Sequence, residues 1–431
     1  MTSSTPPPRR LPGTNIWALL VVAVLVLGGV VWQQRASGPQ PTVDGSVSAL
    51  GRLPTEQDSS GLSAALSDMQ EAWRERNRDA FIAAAGESSA SKSWSAQTYD
   101  NLDELGVKTF DPQLVDEGLT ADQQDGTFRA MVDLTWVPGA GSGLPSRRTD
   151  AATVSLTVRP SEDGFGIESA APTDDPMPLW LEGALDVTRL GNRVVVRVDG
   201  GSEVPRLEQM LGRAMADVRR VYGKPRSDAF VVIPREDSQS TDIVGGSPQR
   251  LSQIAAITTT LDGSDSSSAP VAVVLNPDVF TPMDARAAQI VLTHEAAHDV
   301  TGATTEVAPL WVAEGYADYV ALSRDRLDPT RSASQILKRV RDGGPPEALP
   351  VDEEFGSASP RLGATYESAW MVFRMLGETY DDSTIAEFYR RVLAGQAPEV
   401  VAPDVFDLEL GQITAQWRQY LADWARIAHP A

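Results

Sequence analysis

No cysteine occurs among the 431 residues, and histidine occurs three times. The first absence removes thiol catalysis, thiolate metal ligands and disulfides. It does not argue against a place outside the cytosol, because large domains can dispense with disulfides. Neither a G-x-S-x-G elbow nor a G-x-x-x-x-G-K-[ST] phosphate loop is present, which sets aside two further chemistries. The glycines of Gly139-Ala140-Gly141-Ser142-Gly143 run into Pro145 rather than a helical pattern, so they read as a hairpin or linker loop. Positive charge is scarce: 37 Lys and Arg face 59 Asp and Glu, a net charge of −22. Phosphate binding needs a basic face, so nucleic acid is not an expected partner.

What is present is sharper. Two of the three histidines stand four apart, in His294-Glu295-Ala296-Ala297-His298. On a helix that spacing points both imidazoles the same way, where one metal ion can take both. Chance would produce such an HExxH in roughly one comparable chain in a thousand. A catalytic zinc has three protein ligands and leaves a fourth position to water. The third candidate is Glu314, in Trp311-Val312-Ala313-Glu314-Gly315-Tyr316-Ala317-Asp318. Gly302 suits the end of the first helix and Pro309 the first turn of a second. Asp318 is four residues beyond Glu314, so the two carboxylates share a helical face. One can bind metal while the other orients a ligand imidazole.

HExxH followed by a W-x-x-E-G-x-A-D helix resembles the gluzincin metallopeptidases, the group containing thermolysin and aminopeptidase N. Gly302, four residues after the second histidine, extends the match toward aminopeptidase N. So does Thr365-Tyr366-Glu367-Ser368-Ala369-Trp370-Met371-Val372-Phe373-Arg374-Met375-Leu376. The resemblance covers roughly residues 185–431. It implies that His294, His298 and Glu314 hold one zinc ion, that Glu295 is the general base, and that Tyr366 stabilises the oxyanion. Asp318 then orients an imidazole from behind. No G-x-M-E-N segment precedes HExxH; in aminopeptidase N-type enzymes that stretch binds the free amino terminus. Its absence favours an endopeptidase. By the same resemblance, residues 271–276 stand where an edge strand pairs with an extended substrate. His429 sits two residues before the end and reads as a frayed tail.

One long uncharged run exists, from residue 11 to 34, with residues 16–32 as its apolar core. Arg9 and Arg10 precede it, and Trp17 and Trp32 bracket it. This predicts a cytoplasmic tail (1–15), a single transmembrane helix (16–33) and an extracytoplasmic remainder at the cell membrane. A cleaved signal peptide is the rival, but no small-x-small site follows closely.

Residues 34–60, rich in Ser, Gly, Pro, Gln and Thr, read as a flexible tether. Residues 61–180 carry helical periodicity in Leu62, Leu66, Met69, Ala72 and Trp73, a shorter helix at 79–85, and strand-like runs at 127–137, 152–158 and 165–170. This is a small α+β, membrane-proximal domain, similar to the nuclear-transport-factor-like superfamily, and a spacer or docking module. Residues 185–431 form the peptidase-like unit. Strands at 194–198, 229–233 and 271–275 and a helix at 204–222 make a sheet-bearing first half. Helices at 333–341, 366–380, 384–394 and 413–427 make a helical second half. The aspartates of Asp262-Gly263-Ser264-Asp265 fit no calcium motif and read as loop. The expected fold class is therefore α+β, and the expected function is zinc-dependent hydrolysis of peptide or protein substrates. The alternative is a non-catalytic surface protein that keeps the fold to bind a partner. The residues do not indicate an oligomeric state.

Overall fold

The computed structural model describes residues 53–428 apart from 122–125, 140–148, 162–163, 174, 202, 246–253, 265, 267–268, 326–327 and 357–358. The proposed tail, the anchor, most of the tether, loop residues 140–143, Asp265 and His429 lie outside the described residues. One correction follows. No helix among the described residues is long and apolar enough to cross a membrane, so the membrane-spanning helix and the single-pass placement at the cell membrane are not supported.

Among the described residues the chain is α+β, with two sheets. The first unit opens with α1 (Glu56–Arg74), which starts inside the stretch read as tether. Thr55 and Asp58 form a reciprocal capping box there, satisfying donors that would otherwise be orphaned. Then come α2 (Arg78–Ala84), α3 (Ser89–Glu104) and an antiparallel meander, β1 (Thr109–Ala121), β2 (Phe128–Val137), β3 (Asp150–Ser161) and β4 (Gly164–Pro172). Buried and outward positions alternate along β2 and the first part of β3, because one sheet face packs on the helices. The core there is aromatic: Trp73, Phe81, Tyr99 and Phe110 make edge or tilted contacts. Trp180, from a 3-10 turn at Leu179–Leu181, joins it edge-on to Phe110 and Trp136.

The second sheet has the order β5-β6-β7-β9-β8. Its strands are β5 (Leu185–Arg189), β6 (Arg193–Val198), β7 (Ala229–Ile233), β8 (Ala256–Thr260) and β9 (Val271–Leu275). β6, β7 and β9 run parallel; β5 and β8 are the antiparallel edges. This corrects the edge-strand expectation for residues 271–276. β9 is buried at all five positions, as an interior strand covered on both faces must be. The edge next to the site is the threonine-bearing β8.

Helix α4 (Leu207–Val221) crosses between β6 and β7. The helical second half begins with the His294 helix (Ala285–Thr301) and the Glu314 helix (Leu310–Leu322), and the Tyr366 helix (Leu362–Gly377) packs on the latter.

Candidate metal centre

The His294 helix has an identifiable cause at each end. Asp284 accepts hydrogen bonds from the Arg286 and Ala287 amides at its start, and Gly302 closes it at φ 83°. That left-handed conformation costs glycine no Cβ clash. From Val291 to Thr301 every residue is buried, so the helix lies in the core rather than on the surface. Asp299 fastens it to the sheet, its Oδ2 accepting the Phe230 amide of β7 at 3.0 Å. The Glu314 helix begins after Pro309, where the free Leu310 amide donates to Asp352 Oδ1 at 2.8 Å. Gly315 lets that helix and the Tyr366 helix approach closely: a Cβ there would lie 2.7 Å from the Ala369 carbonyl oxygen.

These supports bring three donor atoms together. His294 Nε2 and His298 Nε2 are 3.0 Å apart, and Glu314 Oε2 is 3.2 Å from the first and 3.4 Å from the second. Tetrahedral zinc with ligand bonds of about 2.0–2.1 Å would separate its donors by about 3.4 Å, so the triangle has nearly the edge lengths that such an ion imposes. The tautomers agree with this. Asp318 Oδ1 lies 2.8 Å from His294 Nδ1, which places the proton on Nδ1 and leaves Nε2 with a lone pair.

The chemistry of the donor set fits a cation equally well. His294 and His298 are 0 % exposed and Glu314 is 1 % exposed, and Glu314 Oε2 faces the two imidazole nitrogens. Three buried acceptors aimed at one point repel each other unless positive charge lies between them. Without metal, a proton supplies part of it. Burial by itself would lower His294, but Asp318 and Glu314 push it up to about 10. Burial by itself would raise Glu314, but the two imidazoles hold it at about 2. His294, His298 and Glu314 form a group that could hold a metal ion.

Glu295 projects to another side of the helix and is also 0 % exposed. Its Oε2 accepts the Thr258 hydroxyl of β8 at 2.6 Å, while its Oε1 is buried with no partner among the described residues. Burial raises its carboxyl above the usual range, against the pull of His294 and His298. Tyr366 is 2 % exposed and packs edge-on against Phe355 at 5.2 Å. Burial first, then the charges of Glu314, Asp318 and Glu295, hold its phenol well above its ordinary value, so it stays a hydrogen-bond donor. His294, His298, Glu314 and Asp318 are thus in direct contact, with Glu295 and Tyr366 in their electrostatic field. Thr258 was not legible from the sequence: it belongs to no motif, and only the β8–helix contact ties it to Glu295. A groove of 700 Å³ flanks Pro309 and Trp311 but includes none of the three donors.

No protein-family model matches the chain, and no curated protein matches it. Its structural neighbours are M1 zinc metallopeptidases. One is a mutant of the enzyme from Deinococcus radiodurans bound to a Tyr-Ser-Ala substrate: 14% identity, TM-score 0.32, covering 73% of this chain and 61% of that one. Another is a two-domain M1 zinc metallopeptidase mutant bound to L-tryptophan: 12% identity, TM-score 0.31, covering 74% and 60%. The M1 zinc metallopeptidase from Deinococcus radiodurans itself gives 13% identity and TM-score 0.31, with the same coverage. The chain therefore spans about three-fifths of the length of these neighbours. At these TM-scores the likeness carries no argument, and the functional reading rests on the chain's own buried donors.

Proposed function

We propose that this protein is a zinc-dependent peptidase, with His294, His298 and Glu314 as the ligands of one zinc ion per chain. The observation that carries this reading is the triangle of three buried acceptors at 3.0, 3.2 and 3.4 Å. A zinc ion held by these three residues would supply Lewis acidity toward a scissile carbonyl and would lower the pKa of a water to about 7. Glu295 takes the proton from the attacking water and returns it to the leaving amine. Tyr366 donates its phenol hydrogen to the oxyanion, a contact worth about 3–4 kcal/mol where one such donor has been removed from another protease. Asp318 holds His294 in the tautomer that coordinates.

The substrate is an unstructured peptide or protein segment, and internal cleavage is favoured over removal of amino-terminal residues, since no G-x-M-E-N segment is present. Among the described residues β8 is the terminal strand of its sheet, where an extended chain would add by backbone pairing once the cover over its buried residues Ala256 to Thr259 is displaced. Residues 61–180 act as a spacer or docking module. One observation favours a second reading. All three donors and Glu295 are buried, as expected of a metal that only staples two helices in a non-catalytic binding protein.

Purified protein decides between them. The peptidase reading expects about one zinc per chain, chelator-sensitive cleavage of an unfolded protein substrate, and loss of cleavage with retained zinc in Glu295→Ala. Zinc that stays bound while no substrate is cut selects the binding protein. A chain that takes up no zinc sinks the peptidase reading and leaves a binding protein that has lost the metal.

A further inference from the structure

We infer that Thr258 is a positioning residue for Glu295, fixing which of its two carboxylate oxygens is free to exchange a proton. This inference rests on the peptidase reading of the same site. The Thr258 hydroxyl lies 2.6 Å from Glu295 Oε2 and 3.1 Å from the Glu295 backbone oxygen. It is the one hydrogen-bond donor recorded on that carboxylate among the described residues, and the other oxygen, Oε1, is buried and unpartnered. Thr258 is itself 0 % exposed, in the middle of β8, where it faces Val273 of β9 across the ladder. Its Cβ is branched, so few χ1 rotamers are open to it.

A carboxylate hung from a helix can rotate about its last torsion, which is broad and roughly two-fold. Pinning one oxygen removes that freedom and leaves the other presented in a constant direction. A general base must sit within hydrogen-bond reach of the proton it abstracts, and small misplacements of such groups cost large factors in rate. The strand bounding the site thus also aims its base. Because the Thr258 hydroxyl bonds to Glu295 and, among the described residues, to none of the metal donors, it affects turnover without affecting ligation.

The test compares wild type, Thr258→Val and Thr258→Ser, each loaded with zinc, for metal content, steady-state kinetics on an unfolded protein substrate, and crystal structure. Thr258→Val keeps the branched shape and removes the hydroxyl. It is expected to keep about one zinc per chain, lose about 10- to 100-fold in kcat with KM little changed, and show the Glu295 carboxylate turned or split between two orientations. Thr258→Ser is expected to restore most of kcat and the single orientation. Wild-type kcat in Thr258→Val, or an unmoved carboxylate, overturns the inference. Loss of zinc in Thr258→Val also overturns it, assigning the threonine to metal-site integrity instead. If wild type cuts nothing, the peptidase reading fails. The carboxylate's orientation in the two zinc-loaded crystals then still decides whether Thr258 positions Glu295.

Discussion

A buried charge must be answered by its surroundings, and two glutamates near the site are answered differently. Glu314 is held ionised by two imidazoles. Glu367, one residue beyond Tyr366, is 3 % exposed and has no cationic partner among the described residues. Its Oε2 accepts the Ile336 amide at 2.7 Å, capping the helix Ser334–Gly343. Burial nevertheless dominates the Ile336 and Gln335 donors and lifts its carboxyl to about 8. In the unfolded chain the same group titrates near 4.5. Between those values the folded state binds the extra proton, so stability falls as pH rises from about 4.5 to about 8. The contribution is fully present below the lower value and lost above the upper one. Glu367→Gln keeps an oxygen to accept the Ile336 amide and carries no charge. The variant should flatten that slope and be more stable than wild type above pH 8, by a few kcal/mol at roughly 1.4 kcal/mol per unit. Denaturant midpoints from pH 5 to 9 for the two proteins check this; parallel curves would assign the slope to another group.

Between elements, the site depends on how closely the Glu314 and Tyr366 helices lie. Alanine at 315 would put a Cβ 2.7 Å from the Ala369 oxygen and 2.8 Å from its carbon, both backbone atoms that cannot swing aside. Gly315→Ala should therefore force the helices apart, costing about 1–3 kcal/mol in denaturant stability. It should also weaken zinc in chelator competition, because Glu314 is the adjacent residue. Gly343→Ala, with nothing within 4 Å of the added Cβ, serves as control and should be neutral or slightly stabilising. Equal behaviour of the two variants would refute the close-packing account. The same scale explains what the sequence made legible. The His294 helix carried its signals in the open, with the paired histidines within and Gly302 after. Helix α3 did not, because its buried face holds Ser91, Ser95 and Thr98. Ser95 and Thr98 satisfy their hydroxyls on the Ser91 and Trp94 carbonyls, so no apolar period marked it. Strand β1 was hidden by Pro112, Gly118 and a bulge between Leu114 and Leu119, features an edge strand tolerates. The order of β8 and β9 is a long-range pairing that no local pattern encodes.

At the scale of the molecule, one side chain ties the first unit to the segment entering the second sheet. Asn101 of α3 is 3 % exposed. Its Nδ2 donates to the Trp180 and Gly183 carbonyls at 3.0 and 2.6 Å, and its Oδ1 accepts the Leu185 amide at 3.0 Å. These bonds span 79 to 84 residues of sequence and hold the segment in place while Trp180 packs among the aromatics of the first unit. Alanine at 101 leaves three backbone groups without partners at once. Each such loss costs about 1–3 kcal/mol where water cannot replace it. Asn101→Ala should lower overall stability by roughly 3–5 kcal/mol and open residues 173–185 to limited proteolysis. The three candidate metal donors stand on the His294 and Glu314 helices, which lie wholly within the second unit, so zinc content should remain that of wild type. Thermal unfolding, protease mapping and metal analysis on one preparation separate these effects. If zinc is lost together with the clamp, the first unit is part of what holds the metal site; if neither stability nor cleavage changes, Asn101 is not the tie.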